Sequence, residues 1–250
     1  MKKTLIACIL SSFLLVQCKK DDTNGSPSSN SNLNNRSVGA SANEFLSAAK
    51  YNSINVQLQY MPGYAPDAGA LNSLVSFLNT LINKPGGIQI TQTAIAASGK
   101  SVLSIPDITA LETANRTSFT SGNVLSVYVV YVDAPYSTAN VLGAAYKNTS
   151  LVIFGPTVTN NSGGLNQASR TKLETTVLEH EFGHLLGLVN LGSAQVNAHE
   201  DGGHPNHCSN TNCLMYYSTQ TTSIGGVLIS GPVPVLDANC KADLTANGGK

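Results

Sequence analysis

The chain has 250 residues, 42% of them hydrophobic, and its 14 basic and 14 acidic side chains cancel to a formal net charge of zero. Charged residues make up only 11%, with no run or patch of lysine and arginine, which excludes nucleic acid and other polyanions as partners. About 200 residues beyond the amino end are enough for one domain with a substantial core.

The amino end reads as an export signal. Met1-Lys2-Lys3 is a short basic start, and the apolar run from Leu5 to Val16 is shorter than the ~18 residues a membrane span needs. It ends in Leu15-Val16-Gln17-Cys18, which resembles a bacterial lipobox, although Gln17 stands where a small residue is usual. The following Lys19-Lys20-Asp21-Asp22 is similar to the charged start of lipoproteins in the Bacteroidota. The resemblance implies cleavage before Cys18, lipidation of its thiol, and an outer-membrane lipoprotein facing the cell surface or periplasm, since position 19 is not aspartate. Ser, Asn and Gly dominate from Asn24 to Ala42, with little to bury. The expected organisation is a signal peptide over 1–17, a disordered tether over 18–48 and one domain over 49–250.

Within the domain, Ile54 to Tyr60 alternates apolar and polar and predicts a strand. Asp67 to Asn83 has helical spacing through Leu71, Leu74, Val75, Leu78 and Leu81, and Pro85-Gly86-Gly87 stops it. Ile88 to Ala96 predicts a second strand and Pro106 to Arg116 a short helix. Val124 to Val132 (VLSVYVVYV) is a buried strand by length and β-branching. Val141 to Tyr146 and Ser150 to Phe154 are two more. A longer helix then runs from about Asn166 to Gly187, with Leu173, Val177, Leu178, Phe182, Leu185 and Leu188 on an apolar face. Asp237 to Ala246 is a C-terminal helix. This order predicts an α/β fold, a sheet of five strands backed by helices.

The longer helix carries His180-Glu181-Phe182-Gly183-His184, an H-E-x-x-H motif. Positions four apart share a helix face, so both imidazoles can reach one Zn²⁺, with Glu181 beside the metal as base for a bound water. Gly187, three residues past His184, suits a helix end that turns sharply.

H-E-x-x-H-x-x-G resembles the metzincin zinc peptidases, in which a third histidine follows three residues after the glycine. Here that position is Asn190, a poor ligand, so the third must come from elsewhere. His207-Cys208-(x4)-Cys213-x-Met215 is similar to the archaemetzincin branch, where the third histidine directly precedes the first cysteine. The resemblance implies His180, His184 and His207 as zinc ligands and Met215 as the floor of a Met-turn. It also implies Tyr217 as a group near the metal that stabilises the oxyanion. His199 and His204 stay open as rival third ligands, as does Glu200 in a gluzincin-like arrangement. The implied fold is a mixed five-stranded sheet with a backing helix and an active-site helix, then a small C-terminal subdomain. Val141 to Tyr146 would be the edge strand above the cleft, where a substrate can pair.

Cys208, Cys213 and Cys240 leave an odd thiol in an oxidising compartment. Cys208–Cys213 is the local disulfide choice, and Cys240 could replace either partner. Archaemetzincins instead use two such cysteines with a later C-x-x-C for a structural zinc. Here Cys240-Lys241-Ala242-Asp243 stands at that place, which makes a Cys208, Cys213, Cys240 and Asp243 site the alternative. The expected function is a monomeric zinc-dependent endopeptidase acting on peptides or proteins outside the cytoplasm, held to the membrane by its lipid. The alternative is a non-catalytic zinc-containing surface lipoprotein that binds a partner in its cleft.

Overall fold

The computed structural model describes residues 30–250; the expected signal peptide and the cysteine at its end, Cys18, lie outside them. The sheet is built around the most apolar strand. β1 (Ser53–Tyr60), β2 (Ile88–Ala94), β3 (Val124–Val132), β4 (Gly143–Lys147) and β5 (Ser150–Phe154) form one mixed five-stranded sheet in the order β2-β1-β3-β5-β4. Central β3 pairs in parallel with β1 (Val56↔Val127) and β5 (Val130↔Val152), while edge strand β4 runs antiparallel to β5. Every β3 residue after Val124 is buried because both faces are covered. Val127, Val129 and Tyr131 face one core, Tyr128, Val130 and Val132 the other.

Among the described residues there are seven α-helices: α1 (Ala42–Leu46), α2 (Ala68–Leu81), α3 (Ile105–Asn115), α4 (Gly155–Asn160), α5 (Arg170–Leu185), α6 (Ile224–Ser230) and α7 (Ala238–Ala246). The longer ones start on side-chain caps. Asp67 accepts from the Ala70 N–H, Ser104 and Asp107 form a capping box, Ser169 accepts from Lys172 and Asp237 from Cys240. α2 packs its Leu71, Leu74 and Leu78 face into the same core as α5. The short helices α4 and α6, the latter reading Ile-Gly-Gly-Val-Leu-Ile-Ser, have no counterpart in the sequence reading. They are less than or about two turns long, and propensity at that length is outweighed by packing.

α5 differs from the amphipathic helix the leucine spacing predicts. All its residues from Leu173 to Leu185 are buried, the polar ones included. Each buried polar group there needs a partner or a use. Glu174 has its partners in the Asp67 N–H (2.7 Å), the Tyr131 hydroxyl (2.9 Å) and Arg170 Nε (3.1 Å).

The expected tether over 18–48 is corrected from residue 30 onward: this segment is part of the domain. A 3₁₀ turn at Asn30–Asn34 leads into a strap that ends in α1, whose Phe45 and Leu46 are fully buried. Polar side chains hold it. Asn34 Nδ2 donates to Thr120 Oγ1 (2.9 Å), Thr149 Oγ1 (2.9 Å) and the Ser126 carbonyl (3.0 Å), and Asn34 Oδ1 accepts from the Thr120 N–H (2.9 Å). A composition of Asn, Ser and Gly reads as solvated chain, yet here the amides replace water as backbone partners.

Replacing Asn34 with Ala leaves the buried Thr120 N–H without that partner, while the Ser126 carbonyl keeps Arg116 Nη2 at 2.9 Å. The variant should lose roughly 1–3 kcal/mol in urea unfolding, the cost of one orphaned buried group. Asn35→Ala, at an exposed neighbouring position, should stay within about 0.5 kcal/mol of the wild type. Equal midpoints for the two variants would return the segment to a passive tether.

Candidate metal centre

The last turns of α5 set His180 and His184 on one face, and a loop brings His207 against them. Their rings sit 4.7 Å (His180–His184), 5.4 Å (His180–His207) and 5.1 Å (His184–His207) apart by centroid. One nitrogen from each lies within 4.8 Å of the others. His180 Nδ1 donates to the Leu214 carbonyl at 2.8 Å, and His207 Nδ1 donates to the Pro205 carbonyl at 3.0 Å. Those bonds fix the tautomers, so both Nε2 atoms present lone pairs. His207 Nε2 has no partner, and His180 Nε2 lies 3.1 Å from His184 Nε2. Burial disfavours protonation of all three rings. It holds His180 down to about 3 and His184 well below its ordinary value, and it lowers His207. Three neutral, converging imidazoles, two of them anchored on carbonyls through Nδ1, fit a divalent cation of the zinc type.

Glu181 stands beside them. Its Oε2 accepts from the Ala145 N–H of edge strand β4 at 2.7 Å, while its buried Oε1 has no partner. Burial pushes its carboxyl up to about 8, against the lowering effect of the Ala145 bond. β4 comes this close because of Gly143. A Cβ there would lie 2.8 Å from Val177 Cγ1 and 3.2 Å from Glu181 Cγ. Beneath the helix, a Cβ on Gly183 would lie 2.3 Å from Met215 Sδ, so the Met215 floor presses on the one side-chain-free position between the ligands. α5 stops at Leu185, and Gly187, at φ +80°, turns the chain away.

A cavity of about 190 Å³ opens here, lined by Val38, Ala144, Ala145, Glu181, His184, Leu191, Asn206, His207 and Gln220. The other sequence candidates fall elsewhere. Asn190 donates through Nδ2 to Glu200 Oε2, and Glu200 Oε1 accepts the Asn206 N–H at 2.7 Å, so both carboxylate oxygens are engaged away from the rings. His204 binds Asp201 Oδ2 at 2.8 Å and stacks face to face on Tyr217 at 3.5 Å. The Tyr217 ring is therefore placed on the exposed loop histidine and is not part of the cavity wall. Gln220, three residues on, lines the cavity and sits against His207, where its amide favours the protonated ring. Val38, Leu191, Asn206 and Gln220 carry no sequence signal, because none belongs to a spaced motif.

No protein-family model matches the sequence, and no curated protein matches it. Among solved structures, the archaemetzincin of Methanopyrus kandleri aligns with a TM-score of 0.52 at 14% identity, over 78% of this chain and 96% of that one. The fold is archaemetzincin-like. Metalloproteinase-II from Bacteroides fragilis aligns over 80% of this chain and 54% of its own length, at 16% identity and a TM-score of 0.43, a likeness on which no argument rests.

On this archaemetzincin-like frame a second cluster lies beyond the Met215 turn. Cys208, Cys213 and Cys240 are buried free thiols, and the expected Cys208–Cys213 disulfide is not formed. Cys213 and Cys240 sulfurs are 3.6 Å apart, and His199 Nδ1 lies 3.4 Å from Cys208 Sγ and 4.0 Å from Cys240 Sγ. Cys213 Sγ accepts from the Met215 and Asp237 N–H groups at 3.4 Å. The hydrogen bond from Cys240, together with those two amides, lowers the Cys213 thiol to about 7. The predicted fourth member, Asp243, is corrected. It is buried in the cluster, but Oδ2 accepts from His199 Nε2 at 2.8 Å and Oδ1 from the Val196 N–H at 2.7 Å. Helix spacing places Asp243 beside Cys240, yet the loop before His199 fills the gap, and the imidazole occupies the place expected of the carboxylate.

Replacing His207 with Ala should reduce metal at the histidine centre to background in chelator competition. Asn190→Ala and His204→Ala should retain it, since Asn190 is engaged by Glu200 and His204 by Asp201 and Tyr217. Retention in His207→Ala, with loss in His204→Ala, would move the third ligand into the loop.

Proposed function

We propose that this protein is a zinc-dependent endopeptidase that hydrolyses peptide bonds of peptides or proteins outside the cytoplasm. The observation that carries this reading is Glu181, a buried carboxylate with a partnerless oxygen beside three converging imidazoles. His180, His184 and His207 would hold the ion through nitrogen, leaving a position open toward the cleft. When bound, zinc supplies Lewis acidity and a water acidified to about pKa 7.

The chain's own groups supply the rest. Glu181 is anchored by the Ala145 amide through Oε2, which leaves Oε1 without a partner in the cavity that Glu181 lines together with His184 and His207. There it accepts the proton of the attacking water and returns it to the leaving amine. Its high proton affinity suits the second half of that exchange. Among the described residues β4 pairs only with β5, so its outer edge, with Ala144 and Ala145 in the cavity wall, can take an extended peptide as an added strand. Oxyanion stabilisation by Tyr217 requires its ring to leave His204 on substrate binding. The non-catalytic alternative gives Glu181 no role, because a structural centre has no use for a desolvated base.

A second, structural zinc would be held by His199, Cys208, Asp237 and Cys240, whose ligand atoms lie within 4.8 Å of one another, with Cys213 Sγ 3.6 Å from Cys240 Sγ. Asp237 Oδ1 caps α7 through the Cys240 N–H, while its Oδ2 accepts from Asn210 and from the Cys208 thiol at 3.3 Å. Asp243 orients the imidazole from behind, an arrangement common for metal-bound histidine. The protein acts as a monomer tethered to the outer membrane through lipid on Cys18. The signal-like amino end and Cys18 support this, and no helix among the described residues is long and apolar enough to cross a membrane.

Two substitutions test the reading. Glu181→Gln should retain both metals while peptide hydrolysis falls by about 10²–10⁴-fold; turnover near wild type would remove the mechanism. His199→Ala should lower zinc from two per chain to one and reduce thermal stability, with the histidine centre still loaded. Unchanged stoichiometry in that variant would exclude His199 as a ligand.

A further inference from the structure

We propose that Val38 and Leu191 form the wall that selects the substrate side chain beside the scissile bond, and that this wall takes a short aliphatic residue. The inference rests on the peptidase reading. Its structural basis is independent of the metal ligands.

The two residues come from segments far apart in sequence, and a pair of glycines locks them together. Gly39 lies at φ +77°, and a Cβ on it would fall 2.2 Å from the Leu191 carbonyl oxygen. A Cβ on Gly192 would fall 2.2 Å from the Gly39 carbonyl oxygen. The two backbones therefore touch with no side chain between them, and the adjoining Val38 and Leu191 both line the cavity. Each segment is held from elsewhere. Asn148, in the turn between β4 and β5, accepts the Arg36 N–H on Oδ1 (2.9 Å) and donates its own N–H to the Arg36 carbonyl (3.0 Å). Its Nδ2 donates to the Leu33 carbonyl (2.8 Å) and to Ser41 Oγ (2.7 Å). The strap is thus gripped on both sides of Val38 by the hairpin whose outer strand is the cleft edge. On the other side, the Gly192 and Ser193 N–H groups donate to the Gly187 carbonyl at 3.0 and 2.8 Å, tying Leu191 to the end of α5.

The chemistry of the cavity follows. Val38, Leu191 and Ala144 are aliphatic, Asn206 and Gln220 are neutral amides, and Glu181 is the only carboxylate in the lining. A lysine or arginine of the substrate would meet no charge other than the catalytic base, and an acidic side chain would meet that base with like charge. A cavity of about 190 Å³, shared with the scissile peptide and the reacting groups, favours a short side chain against a wall that the glycine contacts keep from receding. An alanine or valine side chain fits and buries its methyl groups on Val38 and Leu191.

The test uses the full-length protein and matched peptides that carry Ala, Val, Phe or Lys on either side of one bond. Wild type should cleave the Ala and Val peptides best. Val38→Ala and Leu191→Ala should each raise the Phe-to-Ala ratio of kcat/KM by about 10-fold, the size expected for a few methyl groups in an apolar pocket. Val38→Ile should lower the ratio. The same peptides are then titrated into Glu181→Gln proteins with and without Val38→Ala, and Kd is read by fluorescence anisotropy. A Phe-to-Ala ratio unchanged within about 2-fold by both alanine variants, in hydrolysis and in binding, overturns the wall. If no peptide is hydrolysed but Kd shifts as expected, the wall stands and the peptidase reading fails.

Discussion

His180 Nδ1 donates one hydrogen bond to the Leu214 carbonyl, and much of the molecule is arranged around it. The bond fixes the imidazole tautomer and joins the end of α5 to the C-terminal third of the chain. The residues flanking Leu214 make the other two connections. Met215 fills the hollow left by Gly183, and Cys213 turns into the thiol cluster. Leu214 N–H in turn donates to the Val235 carbonyl at 3.0 Å, and Cys208 N–H to the Met215 carbonyl at 2.8 Å. Three consecutive residues therefore join ligand orientation, helix packing and a cysteine cluster. The side chain before Cys208 is His207, so the cluster also sets where the third imidazole enters.

This arrangement accounts for the unusual burial of α5. An exposed H-E-x-x-H turn would have its imidazoles titrating close to neutral pH and its carboxylate ionised and solvated. Burial strips the protons from the imidazoles and adds one to the carboxylate, the opposite shifts expected of bases and acids in a dry site. A helix carrying so many desolvated polar groups is costly by itself. The apolar cores on the two faces of β3 offset that cost.

Much of this was legible in the sequence, and the reasons divide by range. β3 and β5 have the boundaries their β-branched runs predict, since a strand covered on both faces leaves an unbroken apolar signal. His180 and His184 share a helix face as their spacing implies, and His207, to which only the family resemblance pointed, lies against them. The strap was hidden, because Asn34 in a packed domain and Asn34 in a solvated tether are the same letter. Only Thr120, Ser126 and Thr149, 86 to 115 positions away, distinguish them. Asp243 was placed correctly beside Cys240 by helical periodicity, but periodicity cannot show that Val196 and His199 already occupy its oxygens. The position of Tyr217 two residues past Met215 was legible, while the direction of its ring depends on His204 in a loop of no regular pattern.

The early start of the domain has a geometric consequence. With lipid on Cys18, only 12 positions separate the anchor from Asn30, where the described fold begins. A chain of that length spans at most about 43 Å, at ~3.6 Å per residue. A protein anchored there would hold its cleft within that distance of the bilayer. A pull from the anchor would meet the Asn34 bonds to Thr120, Ser126 and Thr149 before it reached Val38, so the same amide that docks the strap would shield the cavity wall from load.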